Sequence, residues 1–433
     1  TPMETAGAVL DASSLEPLLS HERIVGLGEM MNFPGVLGGE PDVLEKIESA
    51  KTHKKPIDGH APGLSGKDLA AYIAAGIGSD HECMTAEEAR EKIGAGMAVM
   101  IREGTGAKNL EALLPLITPQ MAPWLMWCTD DRHPSDILAE GHIDFILKKA
   151  VRAGVDHITA IRMATIYPAR HFGLRHLGAL TPGRQADLAV MDDLEECRVR
   201  RVYTRGRLVA EDGGVHPSLA RPKAVACPSA MSVNVDALDF AIPAEGETAR
   251  VIGLIKHQII TRAQEMPAKI VDGAAVSDVE RDMLKIAVVE RHKATGNVGR
   301  GFVNGFGLQQ GALAGSVAHD SHNIICVGTN DSDMIAAVRA VIDMSGGLAV
   351  VSGGALTAPL PLPLAGLMSS EPLATVRDSI NALNRAAAAL GCHLSDPFMT
   401  LSFLALPVIP ELRITDLGLF DVAAFDHVPV FPG

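Results

Sequence analysis

The chain has 433 residues, of which 47% are hydrophobic and 21% are charged, so it is long enough for two or three packed domains and is not a disordered protein. Its 38 basic and 52 acidic residues give a formal net charge of −14, which argues against a nucleic-acid partner. No apolar run is long enough to cross a membrane and the start lacks a secretory signal pattern, so we expect a cytoplasmic protein with no membrane partner.

The cysteine spacing is consistent with a reducing compartment. The six cysteines lie far apart and form no Cys-x-x-Cys pair. This spacing predicts neither a zinc ribbon nor a disulfide framework. The cysteines are Cys83, Cys128, Cys197, Cys227, Cys326 and Cys392.

Buried strands alternate with helical patterns over the first 130 residues. The predicted strands cover residues 24–30, 56–60, 76–81, 97–102 and 124–130. Between them lie amphipathic helices, one of which starts at a capping box at Thr85 and ends near Gly94. Such alternation, repeated about every 20 to 30 residues, predicts a parallel β/α sheet or barrel.

Several of these strands end in side chains that can bind a metal. Glu29, His60, His81 and Asp130 each occupy the last polar position of a strand or follow it closely. Because parallel strands bring their carboxyl ends to one face, we expect these side chains to converge on a metal site. For Glu29 the alternative is an ordinary strand-end carboxylate that faces water.

Two further polar residues follow the strand at 97–102. Arg102 and Glu103 are candidates for the same pocket. Most of the remaining histidines are interpreted as structural or exposed. These are His133, His142, His157, His171 and His176.

Past residue 131 the pattern first becomes helical and then changes to short β segments. Residues 178–191 read as a turn and a strand, and residues 199–209 as two strands around a turn at Gly206, which together predict a small sheet. The weakly periodic stretch at 224–236 predicts a domain boundary. Beyond it we expect an α+β region that includes a helix from about Val276 to His292.

Several sequence phrases, taken in order, resemble the adenine deaminase branch of the amidohydrolase superfamily. They are GLGEMMN, DGHAPGL, GIGSDHE and CTDD, followed by LGALTPGRQADLAVMDDL. The region after residue 225 is similar to the C-terminal domain of adenine deaminases, notably around AHDSHN and SGGALTAPLPLPLAGLMS. The resemblance therefore covers nearly the whole chain.

The resemblance implies an α/β fold in three parts. Residues 1–175 would form strands 4 to 8 of a (β/α)8 TIM-type barrel, residues 176–224 a β-sandwich return segment, and residues 225–433 an α+β domain. The His-x-His pair of the superfamily's first barrel strand is absent, and too few residues precede Ile24 for three more strands. We therefore expect the chain to be the carboxyl-terminal part of a longer enzyme, and we do not assume that it is active alone.

The implied reaction is hydrolytic deamination of adenine to hypoxanthine and ammonia, a step of purine salvage. By resemblance, Glu29 would bridge two divalent metals, His60 and His81 would bind the more exposed ion, and Asp130 would contact the other ion and transfer a proton. Glu82 is a candidate for hydrogen bonding the purine ring or moving a proton, with a helix-entry carboxylate as the alternative. We expect manganese or iron, with zinc as the alternative metal.

Other interpretations stay open at this point. The chain is alternatively a cyclic amidohydrolase that acts on a hydantoin or dihydropyrimidine, or a non-catalytic interaction protein on a decayed barrel. The pair His319 and His322 predicts either a lid or accessory metal site, or an ordinary polar loop. A partial barrel exposes strand edges, and we therefore expect a homo-oligomer.

Overall fold

The computed structural model describes residues 2–219, 230–255 and 258–432. The chain divides into an N-terminal unit, Leu10–Pro222, and a C-terminal unit that combines Lys223–Gly433 with Thr1–Val9. The N-terminal segment belongs to the second unit because the Thr5 N–H donates to Asp416 Oδ1 at 2.8 Å. Residues 224–229 of the stretch in which we predict a domain boundary lie outside the described residues.

A parallel sheet forms the centre of the N-terminal unit. Its five strands within residues 10–219 hydrogen-bond in chain order, each parallel to the next. They are β1 (Leu27–Met30), β2 (Ile57–Gly59), β3 (Ser79–Asp80), β4 (Ala98–Arg102) and β5 (Leu125–Cys128). All five predicted strands and the α/β class are therefore confirmed, while closure into a barrel stays a prediction.

Helices precede, separate and follow these strands, and the longer ones bury one face. In α3, for example, Val43, Ile47 and Ala50 are buried while the lysines and glutamates face water, as the 3.6-residue period requires. The helices of this unit are α1 (Ala12–Leu19), α2 (Phe33–Gly38), α3 (Pro41–Thr52), α4 (Gly66–Ala74), α5 (Ala86–Gly94), α6 (Leu110–Leu113), α7 (Pro134–Ala139), α8 (Ile143–Arg152), α9 (His157–Ala164) and α10 (Ile166–His171). Short 3-10 turns cover Leu114–Leu116 and Ala122–Trp124.

A small antiparallel sheet ends the N-terminal unit. It contains β6 (Leu188–Met191), β7 (Val199–Thr204), β8 (Arg207–Glu211) and β9 (Gly214–Val215) in chain order. Gly206 has a φ of +75° in the turn between β7 and β8, a conformation that glycine adopts without strain. The short strands predicted from this stretch are confirmed.

The C-terminal unit is built on an eight-stranded mixed sheet. Its strand order is β12-β11-β16-β15-β18-β17-β19-β20, and two three-stranded sheets, β10-β14-β13 and β21-β22-β23, accompany it among the described residues. The strands are β10 (Ile242–Pro243), β11 (Thr248–Leu254), β12 (Thr261–Pro267), β13 (Lys269–Val271), β14 (Ala274–Val276), β15 (Met283–Val289), β16 (Val298–Asn304), β17 (Ala312–Gly315), β18 (Ile324–Gly328), β19 (Gly347–Ser352), β20 (Ala355–Pro361), β21 (Leu412–Thr415), β22 (Gly418–Asp421) and β23 (Asp426–Val428). The helices are α11 (Asp331–Asp343), α12 (Leu373–Ala389) and α13 (Pro397–Phe403), with 3-10 turns at Val235–Ala237 and Val279–Arg281.

The helix predicted from Val276 to His292 is wrong. Met283–Val289 of this stretch is β15, which pairs antiparallel with β16 on one side and with β18 on the other, and Val279–Arg281 is a 3-10 turn. All seven residues of β15 are buried. A strand covered on both faces shows no alternation of polar and apolar residues, and its sequence therefore does not differ from that of a buried helix.

The cysteines and the helices bear on the compartment predictions. Cys83, Cys128, Cys197, Cys326 and Cys392 are free thiols, and Cys227 lies outside the described residues. Within the described ranges, no helix is both long and apolar enough to cross a membrane.

Candidate metal centre

Three predicted ligands meet at the carboxyl ends of neighbouring strands. Glu29 lies in β1, His60 directly follows β2, and His81 directly follows β3. Because these strands are parallel and adjacent, the three side chains lie at one edge of the sheet. Their ligand atoms all lie within 4.8 Å of one another.

One carboxylate oxygen of Glu29 is the centre of this group. Its Oε2 lies 2.9 Å from His60 Nδ1 and 2.7 Å from His81 Nε2. The two imidazole rings stand edge to face, with centroids 5.5 Å apart. Glu29 is therefore engaged with both histidines and is more than a strand-end carboxylate facing water.

A second group connects this one to Asp130. His81, Glu82 and Asp130 also present ligand atoms within 4.8 Å of one another. Asp130 follows β5 by two residues and has a φ of +53°, a left-handed conformation that aspartate tolerates better than most residues. The structure thus brings the four predicted ligands together through His81, which belongs to both groups.

Arg102, at the end of β4, holds the two acidic residues of the second group. Its Nη1 donates to Asp130 Oδ2 at 2.7 Å and also contacts Glu82 Oε1, while its Nη2 donates to Glu82 Oε2 at 3.0 Å. Its neighbour Glu103, the other candidate for this pocket, instead pairs with Lys149 at 2.7 Å. Arg102 is thus part of the site, whereas Glu103 is the partner of a lysine.

The carboxylates change the proton affinity of both histidines. Burial opposes protonation of His81, but Asp58 and Glu29 outweigh it and raise the pKa of His81 to about 10. Burial also opposes protonation of His60, yet Glu29 and Glu82 leave its pKa raised. Burial disfavours ionised Glu29, but the two imidazoles hold its pKa well below its usual range. The centre therefore favours bound cations, and a metal has to displace protons from the imidazoles.

A chain of polar side chains contacts the Nδ1 side of the His81 ring, opposite the nitrogen that faces Glu29. Asp58 Oδ2 lies 3.3 Å from His81 Nδ1, Ser79 Oγ donates to Asp58 Oδ1 at 2.7 Å, and His171 Nε2 lies 3.1 Å from Ser79 Oγ. With Nδ1 directed at Asp58, His81 presents Nε2 to Glu29, which is the usual arrangement of a metal-binding histidine. Sequence reasoning missed Asp58, although it lies two residues before His60 and therefore on the same face of the strand.

The histidine pair of the C-terminal unit is held by contacts with its own loop and with helix α13. His319 stacks on Phe403 with ring centroids 4.7 Å apart, and His322 Nδ1 accepts a hydrogen bond from the Ala318 N–H at 3.1 Å. Among the described residues, neither histidine belongs to a group of three potential ligands. These contacts favour the ordinary polar loop over the accessory metal site.

Both units match known families. The model of the amidohydrolase family matches residues 14–209, and that of the adenine deaminase C-terminal domain matches residues 258–426. An adenine deaminase of Desulfatibacillum aliphaticivorans is 56% identical over 431 residues, which is 100% of this chain and 76% of that protein. An adenine deaminase of Methanothrix thermoacetophila is 50% identical over 433 residues, again 100% and 76%.

Solved structures of the superfamily are more distant. Enamidase, a member of the amidohydrolase superfamily, aligns with 41% of this chain and 54% of its own at 16% identity and a TM-score of 0.32. This likeness is too low to decide whether the parallel sheet closes into a barrel. The identity to the curated relatives over the entire chain is decisive for the family: the chain belongs to the adenine deaminases, within the amidohydrolase family.

Proposed function

We propose that this chain hydrolyses adenine to hypoxanthine and ammonia at the centre formed by Glu29, His60, His81 and Asp130. The convergence of these side chains at the strand ends is the observation that carries the proposal. The reaction is supported by the relatives described above, which are adenine deaminases. These relatives do not favour the cyclic amidohydrolase or the non-catalytic interaction protein.

The donor set fits a pair of divalent metals. Glu29 Oε2 lies within 3 Å of one nitrogen on each of His60 and His81, and carboxylate and imidazole are ligands of manganese, iron and zinc. We assign Glu29, His60, His81 and Asp130 as the residues that would hold these ions, with manganese or iron as the first choice. Metals held there would supply the Lewis acidity that makes water nucleophilic near neutral pH.

Asp130 is the group that we assign to proton transfer. As the water oxygen bonds to C6 of adenine, a carboxylate oxygen of Asp130 takes one proton of the water and passes it to the exocyclic nitrogen. The C6–N bond then breaks, ammonia leaves, and the oxygen remains as the carbonyl of hypoxanthine. Arg102 orients the carboxylate through its bond to Oδ2.

Glu82 is the candidate for contact with the purine ring. The second proton of the water ends on ring nitrogen N1 of hypoxanthine, and a carboxylate beside the ring is suited to carry it. Glu82 Oε1 lies 3.7 Å from both His60 Nδ1 and His81 Nε2. A substrate bound at the candidate metal centre would therefore lie within reach of this carboxylate. The side chain is 12% exposed, and Arg102 fixes its orientation.

The architecture of the complete site is part of the proposal. We propose that β1 to β5 are strands 4 to 8 of a (β/α)8 barrel within residues 1–175. We assign residues 176–224 to the sandwich return segment and residues 225–433 to the C-terminal domain. The two family matches support the second of these boundaries, because they lie on either side of residue 224.

Ammonia release from adenine by the manganese-loaded protein is the test of this function. We expect Asp130→Asn to lower kcat by roughly 100-fold to 10,000-fold, because it removes the proton carrier, while the exposed neighbour change Asp131→Asn leaves kcat nearly unchanged. Hydantoin and dihydrouracil, assayed in parallel, address the alternative substrates. A metal-loaded protein that releases no ammonia from adenine would refute the proposal.

A further inference from the structure

A buried charge network lies directly behind the candidate metal centre. Lys92 of α5 and Asp80 of β3 are both 0% exposed, and the side chain of Glu88 is 11% exposed. Lys92 Nζ lies 3.0 Å from Asp80 Oδ2, 2.8 Å from Glu88 Oε1 and 2.7 Å from the carbonyl oxygen of Ala61. An ammonium group has three N–H donors, and each of them has a partner here.

This network is not a second metal site. Asp80, Cys83 and Glu88 present potential ligand atoms within 4.8 Å of one another, but the ammonium of Lys92 already bonds to both carboxylates. Burial and the neighbouring Asp80 raise the pKa of the Cys83 thiol well above its usual range, and its Sγ donates to Asp80 Oδ2 at 3.3 Å. The ammonium of Lys92 therefore takes the place that a metal ion would need between these carboxylates.

The network binds the backbone immediately after His60. The N–H of Ala61 donates to Asp80 Oδ1 at 2.8 Å, and the carbonyl of Ala61 accepts from Lys92 at 2.7 Å. Two residues later, the N–H of Gly63 donates to Glu88 Oε1 at 2.8 Å. Both polar backbone groups of Ala61 are thus fixed by buried side chains.

The same side chains bind the backbone immediately after His81. The N–H of Glu82 donates to Asp80 Oδ2 at 3.1 Å, and the N–H of Met84 donates to Glu88 Oε2 at 3.0 Å. A single buried group therefore fixes the segments that follow two different strands. These segments carry the two imidazoles of the candidate centre.

We propose that Asp80 and Lys92 are positioning residues that fix His60 and His81 for metal binding. They act through the backbone of Ala61 and Glu82, unlike Asp58, which contacts the His81 ring itself. The positioning role rests on the proposed function, because it presumes that His60 and His81 bind the metal. A metal site needs its ligands preorganised to within a fraction of an ångström, and buried ion pairs on rigid elements provide such support.

The test compares Lys92→Met with Lys285→Met. Lys285 is a matched control from the C-terminal unit: it is 3% exposed and donates to the Phe240 carbonyl at 3.0 Å and to Asp331 at 2.8 Å. Each change removes a buried ammonium from a backbone carbonyl and from its carboxylate partners, which are two for Lys92 and one for Lys285. The measurements are the Kd of the metal-free protein for Mn²⁺, and amide hydrogen exchange of the peptides that contain Ala61 and Glu82.

We expect Lys92→Met to weaken Mn²⁺ binding by about 10-fold to 100-fold, the usual effect of removing support for a metal ligand. Exchange at Ala61 and Glu82 should become faster, whereas Lys285→Met should leave both measurements near those of the unaltered protein. If Lys92→Met binds Mn²⁺ normally, or if both variants weaken binding equally, the positioning role is wrong.

The double variant Asp80→Asn with Lys92→Met covers the case in which Lys92→Met does not fold. It removes the charge of Asp80 together with that of Lys92, and the carboxylate of Glu88 still accepts from the N–H groups of Gly63 and Met84. We therefore expect it to be more stable than Lys92→Met alone. Its Mn²⁺ affinity should stay low, because the Ala61 carbonyl and the Glu82 N–H still lose their partners. Normal Mn²⁺ affinity in this variant would also overturn the proposal.

Glu29→Gln separates the positioning role from the proposed centre. If Glu29→Gln weakens Mn²⁺ binding and Lys92→Met does not, the centre stands and only the positioning role falls. If Glu29→Gln leaves Mn²⁺ affinity unchanged, the centre is misassigned, and the positioning role falls with it.

Discussion

Arg102 is the residue on which the geometry of the proposed catalytic carboxylates depends. Its guanidinium bonds to both Glu82 and Asp130, an arrangement that requires a planar group with several donors. Lysine keeps the charge but not the paired hydrogen bonds. We therefore expect Arg102→Lys to lower kcat on the order of 100-fold, the cost of misplacing a catalytic group by about 1 Å, with a smaller effect on KM.

Arg201→Lys is the control for this change in steady-state assays of adenine turnover. Arg201 also pairs with a carboxylate, Glu211, at 2.6 Å, but it lies in the small antiparallel sheet. We expect its turnover to match that of the unaltered protein. Equal turnover of Arg102→Lys and the unaltered protein would show that the paired hydrogen bonds do not matter for the chemistry.

His322 gives the C-terminal unit a stability that depends on pH. Burial, with repulsion from His319, Arg291 and His292, lowers the pKa of His322 to about 4. Because the folded state holds the neutral ring and the unfolded chain titrates near pH 6.5, stability is lost as the pH falls from about 6.5 towards 4. The loss is at most about 1.4 kcal/mol per pH unit, the value for one proton.

The measurement is urea unfolding of the unaltered protein and of His322→Asn between pH 4 and 7. Asparagine tolerates the φ of +54° at this position. As the pH falls, the free energy of unfolding should therefore decrease more in the unaltered protein than in His322→Asn. Parallel pH curves would contradict the assignment.

For individual residues, the sequence predicted the candidate metal ligands but not the side chains that hold these ligands in place. Glu29, His60, His81 and Asp130 were identifiable because each ends or follows a buried strand. The spacing from His60 places Asp58 on the same face, but the bond of Asp58 to His81 and the bonds of Arg102 were not predictable, because they are contacts between side chains on different strands. No periodicity within one strand encodes such contacts.

Helix α5 is the element that connects the fold to the site. Thr85 caps its N-terminus by accepting the Glu88 N–H at 3.2 Å, which is one of the two bonds of the predicted capping box. The Glu88 carboxylate accepts from the neighbouring Met84 N–H at 3.0 Å. We expect Thr85→Ala to lower the free energy of unfolding by about 1 kcal/mol, since an N–H loses its partner. Thr85→Ser keeps the hydroxyl and should cost little in the same urea titration; equal losses in both variants would exclude the cap as the cause.

Strands and helices were predictable to different degrees in the two units. β1 to β5 were recognisable because each apolar run is short and bounded by helical patterns and glycines. β15 was not, because Met283–Val289 is apolar apart from Lys285, buried on both faces and preceded by a charged stretch typical of a helix. Only its pairing with β16 and β18 decides the conformation.

For the whole molecule, metal binding and folding stability should be linked. A ligand that binds only the folded state adds about 2.7 kcal/mol at 100 times its Kd. We therefore expect chelation to lower the Tm and abolish adenine turnover, and added Mn²⁺ to restore both. In Glu29→Gln the Tm should respond little to Mn²⁺; a full response in that variant would place the stabilising metal elsewhere.

Assembly and compartment are also properties of the whole molecule. The homo-oligomeric state and the cytoplasmic location stay predictions. Sedimentation analysis of the purified protein measures the first of them. A monomer at micromolar concentration would contradict it.

The central claim is that four residues distant in sequence surround one pair of cations. The most direct measurement is an anomalous difference map from a crystal of the protein grown with Mn²⁺. We predict peaks within bonding distance of Glu29, His60 and His81, with Asp130 at the second ion. Manganese bound elsewhere, with these four side chains bare, would contradict the account.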